Sequence, residues 1–117
     1  MKSYILVGQT PVPCEDLLEW AKWFETTDRH VFQDTIGDHW VSTVFLGLDH
    51  RFFGDGPPIL FETMVFCKHE GLECDLSNQM KRYATWLEAE AGHKETVKDV
   101  TLETEFKRIN KLKWERP

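Results

Sequence analysis

Residues 41–66 constrain the fold more than any other part of the chain. Their sequence, VSTVFLGLDHRFFGDGPPILFETMVF, contains two apolar runs separated by a segment with glycines, prolines and charged residues. Apolar runs rich in β-branched and aromatic residues predict strands, and the Gly/Pro-rich segment predicts a structured loop. We therefore expect two strands in the middle of a sheet, with the rest of the chain arranged to cover them.

The first of these strands, predicted over residues 39–48, is apolar on both of its sides. One alternating set contains Trp40, Val44, Leu46 and Leu48, and the other contains Val41 and Phe45. Such a strand either lies at the centre of a sheet with both faces covered or presents one face to a partner.

The second strand, predicted over residues 59–66, carries one acid, Glu62, on an otherwise apolar row. An unpaired buried carboxylate is costly. Glu62 therefore needs a charged or hydrogen-bonding partner, a raised pKa or a ligand.

The rest of the chain supplies two helices and three further short strands. An amphipathic pattern predicts a helix over residues 15–27. A capping box at residues 85–88 opens a second helix, which runs to about residue 102 and continues or restarts as far as residue 114. Strands are predicted at residues 3–7, 30–36 and 80–84, a Gly37-Asp38 turn after the second of them, and irregular loops at residues 49–58 and 67–79. The order β-α-β-β-β-β-α predicts an α+β fold: an antiparallel sheet of four to five strands with two helices packed on one face.

The length of 117 residues favours a single domain over residues 1–117, with a basic helical tail at about residues 105–117. The net charge is −6, although the tail carries five Lys/Arg against two Glu. An acidic body repels phosphate backbones, so we expect no general nucleic-acid binding. Basic residues at the end of a helix are also favoured by its macrodipole.

The location in the cell is predicted from what the sequence lacks. No apolar run approaches the ~20 residues of a membrane span, and the N-terminal apolar run is too short for a signal peptide. Three cysteines without a signal peptide fit a reducing compartment. We expect a cytoplasmic protein that has no membrane association.

The first candidate site combines Asp49, His50 and Arg51 in the central loop with Glu62 on the following strand. His50 is a candidate general acid or base near neutral pH, which Asp49 or Glu62 would orient. Arg51 would hold an anion such as phosphate through its planar guanidinium. The alternative is that Asp49 and His50 only turn the chain and that Glu62 pairs with an arginine or a backbone donor.

The second candidate site is Asp28-Arg29-His30, directly after the first predicted helix. If it converges with the first, the two build a polar pocket suited to a phosphorylated or nucleotide-like ligand. The ligand-binding residues would then be Arg29, His30, His50, Arg51 and Glu62. The alternative is a solvated helix end, where His30 is favoured by the macrodipole.

Metal binding and standard enzyme motifs find little support in the sequence. The spacing of Cys67, His69 and Cys74 matches no usual structural zinc pattern, and Cys14 would have to complete the site. His93, alone on a helix, is more typical of a packed or exposed residue. Nucleophile-elbow, P-loop, Rossmann and H-E-x-x-H motifs are absent. We therefore expect no metal and no cofactor, and a binding protein more than an enzyme.

Several segments together resemble a small protein family carried by tailed phages and bacterial prophages. They are residues 40–50 (WVSTVFLGLDH), 57–66 (PPILFETMVF), 82–86 (RYATW) and 89–93 (AEAGH), with Pro11-Val12-Pro13 and residues 20–25 (WAKWFE). The resemblance covers most of residues 3–97 and brings no assigned activity or catalytic residue. It implies a phage accessory protein that works in a bacterial cytoplasm.

Phage accessory genes of this size often encode inhibitors of host defence, an argument from association alone. We therefore predict a non-catalytic binding module that blocks a host protein or captures a small phosphorylated ligand. One alternative is a small hydrolase or nucleotide-processing enzyme that uses His50 with Asp49 or Glu62. Another is a structural virion component. The sequence leaves self-association into a homo-oligomer open.

Overall fold

The computed structural model describes residues 2–51, 54–67 and 80–115, with side chains as far as residue 113. In chain order the elements are β1 (Tyr4–Val7), β2 (Thr10–Pro13), α1 (Leu17–Thr26), β3 (His30–Ile36), β4 (His39–Phe45), β5 (Phe61–Cys67), β6 (Met80–Tyr83) and α2 (Trp86–Glu115). β1 and β2 form a two-stranded antiparallel sheet, and the other strands form a four-stranded sheet in the order β3-β4-β5-β6. The predicted α+β fold with an antiparallel sheet is confirmed.

β4 and β5 lie in the middle of the four-stranded sheet, as the apolar stretch predicted. Their register places Val41 opposite Val65 and Phe45 opposite Phe61, and all four side chains are buried. They face α2, where Val100 joins the first pair in one core cluster. Alternation along the two strands thus directs one complete side-chain set of each into the core.

α2 is one continuous helix, which resolves what the sequence left open. Thr85 caps the helix as predicted, because the Glu88 amide donates to Thr85 Oγ1 at 3.1 Å and the Thr85 hydroxyl donates to Glu88 Oε1 at 2.9 Å. Gly92 lies directly against the ring of Tyr83, and a Cβ at this position would collide with that ring. The glycine, unfavourable for the helix itself, therefore allows α2 to approach β6 closely.

The β1–β2 hairpin was not predicted. Prolines usually end a strand, but Pro11 and Pro13 belong to β2, opposite Leu6 and Tyr4. β2 lies at the edge of its sheet. Proline is tolerated there because one side of the strand forms no hydrogen bonds to a neighbouring strand.

α1 packs against β1, and its Trp23 ring lies 5.8 Å from that of Phe45 in the core cluster that α2 also contacts through Ala89. Both helices therefore contribute to the core on this side of the sheet. The indole of Trp20 fixes the helix, since its Nε1 donates to the carbonyl oxygens of Tyr4 at 3.0 Å and Gly47 at 3.2 Å. Gly47, with φ of 78°, also allows close contact with Phe24. α1 is therefore anchored to the N-terminal hairpin and to the chain just after β4.

Candidate functional site

We call the face of the four-stranded sheet that points away from α2 the open face. The strand register arranges it in three cross-strand rows. The rows are Thr35–Trp40–Phe66, Gln33–Ser42–Met64–Met80 and His30–Val44–Glu62–Arg82. No helix in the described part of the chain lies across this face, and α1 only borders it near Val44.

The centre of the open face is apolar. The rings of Trp40 and Phe66 are 5.2 Å apart and tilted by 34°. Phe66 is 41% exposed and Met80 is 49% exposed, while Met64 between them is half-buried. Contiguous exposed apolar side chains of this kind are typical of interaction surfaces. On β4 itself, Trp40 and Val44 are half-buried and Ser42 is buried, so a face of β4 that meets a partner stays a prediction.

A charged row borders this apolar centre. The Glu62 carboxylate accepts a hydrogen bond from Arg82 Nε at 2.9 Å. Arg82 is also its cross-strand neighbour on β6. Glu62, the one acid in an otherwise apolar row, thus has a cross-strand ion-pair partner. The sequence predicted a partner, a raised pKa or a ligand, and the structure shows the first of these.

His30 lies in the same row as Glu62, with Val44 of the central strand between them. Its Nδ1 is 2.7 Å from the carboxylate of Asp28, which also accepts from the His30 amide at 3.0 Å. These bonds from the backbone and the imidazole lower the pKa of Asp28 below its usual value. The structure therefore brings one residue from each candidate site onto the same face of the sheet.

Arg29 lies beside the open face, at the end of α1. Its Nη1 donates to the carbonyl oxygen of Phe45 at 3.0 Å, and its guanidinium stacks 3.7 Å above the ring centre of Phe24. Burial lowers the pKa of Arg29. A cavity of about 360 Å³ is lined by Phe24, Glu25, Thr27, Asp28, Arg29, His30 and Val44.

This cavity offers little net attraction for a phosphate group. Two carboxylates, those of Glu25 and Asp28, share its lining with one guanidinium and one imidazole. His50 and Arg51 do not line it. The pocket with two histidines and two arginines predicted from the sequence is therefore not formed by these side chains.

Asp49 organises the loop that follows β4. Its Oδ1 accepts hydrogen bonds from the amides of Arg51 at 2.9 Å and Ile59 at 3.0 Å, and its Oδ2 lies 3.3 Å from Arg51 Nη2. Burial raises the pKa of Asp49, but the two amides and the Arg51 charge outweigh burial, so the pKa falls below its usual value. Both carboxylate oxygens are thus engaged within the loop, and the His50 amide donates to the Ile59 carbonyl at 3.0 Å.

Sequence reasoning missed a polar chain beneath α2, which is buried except at Asp34, whose side chain is 54% exposed. His93 Nδ1 lies 2.7 Å from Thr43 Oγ1, and its Nε2 lies 2.7 Å from Asp34 Oδ2. The hydroxyl of Thr43 also bonds to that of Thr63. A signal for this chain was present: both threonines fall on the core-facing rows of β4 and β5, and His93 precedes Val100 by two helical turns.

The Asp34–His93–Thr43 order has the composition of a nucleophilic triad, but its surroundings differ. Thr43 is fully buried and His93 is 3% exposed. A nucleophile must reach a substrate atom, and α2 covers this hydroxyl. The chain therefore holds α2 in register on the sheet.

Within residues 2–51, 54–67 and 80–115 no group of three or more His, Cys, Asp or Glu side chains is arranged to hold an ion. Cys14 and Cys67 are free thiols. His69 and Cys74, the other members of the candidate set, lie outside the described residues.

Comparison with known proteins adds no identity to these observations. No protein-family model, curated protein or solved structure matches the chain. In the described ranges no helix is both long and apolar enough to cross a membrane. The phage resemblance therefore stays a prediction.

Proposed function

We propose that this protein is a non-catalytic binding module that docks a protein partner on its open face. The apolar centre formed by Trp40, Met64, Phe66 and Met80, in which Phe66 and Met80 are exposed, is the observation that carries the proposal. Exposing these side chains to water in a lone molecule is unfavourable, since burying apolar surface lowers the free energy. With the phage resemblance, the proposed role is an accessory protein that inhibits a host component, such as a defence protein, in a bacterial cytoplasm.

A protein partner suits this surface better than a small phosphorylated ligand. Aromatic and methionine side chains are enriched at the centres of protein interfaces, and the unbranched methionine adapts its shape to a partner. The neighbouring cavity instead combines Arg29 and His30 with two carboxylates. Those carboxylates would repel the phosphate groups that a sequestering pocket has to attract.

The net charge of the chain outside its basic tail indicates the chemistry of the partner. Outside the basic tail the chain carries nine Lys/Arg against eighteen Asp/Glu. An acidic protein surface attracts basic partners and accelerates their association. We therefore propose a partner with an apolar patch bordered by lysine and arginine.

The hydrolase alternative gains no support from the arrangement of its residues. Asp49 is bonded within its own loop, and Glu62 is paired with Arg82 on the open face. Neither carboxylate is bonded to His50, which would need a carboxylate to orient its imidazole for general acid–base work.

The test compares one substitution on the open face with one elsewhere. Met64→Glu places a charge at the apolar centre, whereas Leu87→Glu changes a residue that is 75% exposed on α2. Proteins recovered from a bacterial lysate by the wild type would be purified and titrated by calorimetry. We expect Met64→Glu to weaken binding on the order of 100-fold, because it buries an unpaired charge in the interface. The Leu87→Glu variant should bind like the wild type.

Mapping the bound surface completes the experiment. Backbone amide shifts on adding the purified partner should concentrate in β3–β6 and leave α2 little changed. Equal binding by Met64→Glu and the wild type would contradict the proposal. Recovery of a nucleotide with Arg29-dependent affinity, in place of a protein, would also contradict it and would direct attention to the cavity beside α1.

A further inference from the structure

The C-terminal part of α2 extends beyond the body of the protein. Val100 is fully buried, and the Thr104 side chain still lies near Gly37. From residue 105 to residue 113 every residue is exposed except Asn110, which is half-buried. The molecule accordingly measures 66 × 29 × 24 Å. We call residues 102–115 the helix tail.

An apolar stripe follows the outer side of the helix tail. Its members are 52–62% exposed and are Leu102, Phe106, Ile109 and Leu112. At about 100° per residue, all of them fall within about 60° of the direction opposite Val100. The body of the same molecule therefore cannot cover them, since it packs on the Val100 side.

Charge along α2 is divided near the middle of the stripe. Residues 99–105 contain three acids, Asp99, Glu103 and Glu105, and no base. Residues 106–113 contain four bases, Lys107, Arg108, Lys111 and Lys113, and no acid. At the same 100° per residue, Lys107 and Lys111 lie on the Val100 side, and the charges that flank the stripe are Asp99, Glu105, Arg108 and Lys113. These flanking charges are complementary to those of a second copy that runs in the opposite direction.

We infer that two copies of this chain pair through the stripe with their helix tails antiparallel. The acidic segment of each copy then lies beside the basic segment of the other, and the two bodies stand at opposite ends without collision. A parallel pair would place like charges side by side and bring the bodies together. The antiparallel pair is closed, because a two-fold axis near residue 107 relates identical surfaces.

Contacts within one helix do not compete strongly with this pairing. Glu103 lies 3.8 Å from Lys107, and Glu105 lies 3.0 Å from Arg108. Both ion pairs are solvent-exposed, and exposed pairs of this kind contribute little. The pairing also leaves the open face free, so it is independent of the proposed docking function.

Sedimentation equilibrium of the full chain tests the pairing directly. Because four side chains per copy make a small interface, we expect a dissociation constant on the order of 10 µM. Phe106→Glu should weaken the dimer at least ~100-fold, since each copy would bury an unpaired charge. Leu87→Glu, also on an exposed part of α2 but outside the tail, should leave it unchanged.

Circular dichroism should show the same variants folded, because both side chains are solvent-exposed. A wild type that stays monomeric at millimolar concentration would overturn the inference. So would a dimer that Phe106→Glu does not weaken, or a helix tail that binds another protein while the chain stays monomeric. We expect the Phe106→Glu variant still to bind a partner through the open face. Failure of the pairing can therefore be distinguished from failure of the proposed function.

The direction of pairing needs a distance measurement. A spin label at Leu87→Cys, with Cys14, Cys67 and Cys74 changed to serine, reports the separation of the two bodies. Counting about 1.5 Å per residue from a two-fold axis near residue 107, antiparallel tails place the labels about 60 Å apart. Parallel helices would place them about 10–20 Å apart, given ordinary interhelical distances, and that result would overturn the antiparallel arrangement.

Discussion

The two faces of the four-stranded sheet are built from the same strands, but α2 covers only one of them. On one face α2 covers Val41, Phe61 and Val65, and every one of these side chains is buried. On the open face, Phe66 and Met80 remain exposed. An apolar row is therefore not by itself a core row: one face stabilises the fold, and the other carries exposed apolar side chains.

Polar groups distinguish the two faces as clearly as exposure does. The covered face encloses His93 and Thr43, which bond to each other and need that bond because burial removes them from water. Only one register of α2 places His93 over Thr43. The open face has no comparable constraint, since its charged row of Glu62 and Arg82 is satisfied across neighbouring strands.

The sharpest way to test this difference is His93→Ala. We expect the free energy of unfolding in urea to fall by about 3 kcal/mol, because the change leaves a cavity and removes the buried bonds of His93 to Thr43 and Asp34. The matched change on the same helix, Lys94→Ala, removes a side chain that is 75% exposed and should cost less than about 0.5 kcal/mol. If both variants unfold alike, the buried chain does not hold α2 on the sheet.

Gly92→Ala tests how closely α2 approaches β6. Alanine favours a helix over glycine by up to about 1 kcal/mol. A Cβ here meets the Tyr83 ring, however, so we expect a net loss of about 2 kcal/mol in the free energy of unfolding. Gly56→Ala, where nothing lies within 4 Å of the added carbon, is the control and should be near neutral. A stabilised Gly92→Ala protein would mean that helix and strand are further apart.

Asp49→Asn tests the loop that joins the two central strands. At pH 7 we expect a loss of about 1–2 kcal/mol, because the charge-assisted bonds to Arg51 and Ile59 weaken. The folded pKa of Asp49 lies below its usual value of 3.8. The carboxylate's contribution is therefore fully present above pH 3.8 and is lost as the pH falls through the folded pKa.

Unfolding of the wild type and Asp49→Asn should be compared from pH 7 downward. The difference between them should stay constant to about pH 4 and then shrink. Asp55→Asn, an exposed position in the same loop, should show no such difference. If the difference in unfolding free energy between the wild type and Asp49→Asn grew as the pH fell, the result would contradict the role assigned to Asp49.

The smallest stability effect is expected on the open face itself. Met80→Ser replaces a side chain that is 49% exposed on an edge strand, and we expect a change within about 0.5 kcal/mol in urea unfolding. Loss of more than about 2 kcal/mol, the range of a core truncation, would show that this face also stabilises the fold. The comparison between the faces would then fail.

Local signals in the sequence predicted a large part of the architecture. Thr85 begins α2 as its capping box required, and Gly37, with φ of 58°, occupies the tight turn between β3 and β4. The β1–β2 hairpin escaped prediction because prolines usually end a strand, and only its place at an edge makes them acceptable.

The candidate site was predicted only in fragments. Glu62 was recognised as an acid that needs a partner, but Arg82 is 20 residues away in the sequence and could not be chosen from spacing. His93 was considered alone because Asp34, 59 residues earlier, meets it only through the packing of α2 on β3. His50 and Arg29 were grouped by composition, and the structure leaves His50 outside the cavity that Arg29 lines.

By itself, the sequence determined the elements: which residues alternate along β4 and β5, where α2 begins, and which side of the helix tail is apolar. These follow from spacings of two to four residues, which the backbone geometry converts directly into faces. Only the tertiary structure decided which face of the sheet α2 covers, which arginine pairs with Glu62 and which hydroxyl bonds to His93. Those choices depend on strand register and helix packing between distant residues, and the free energy that selects them comes from burying the whole core at once.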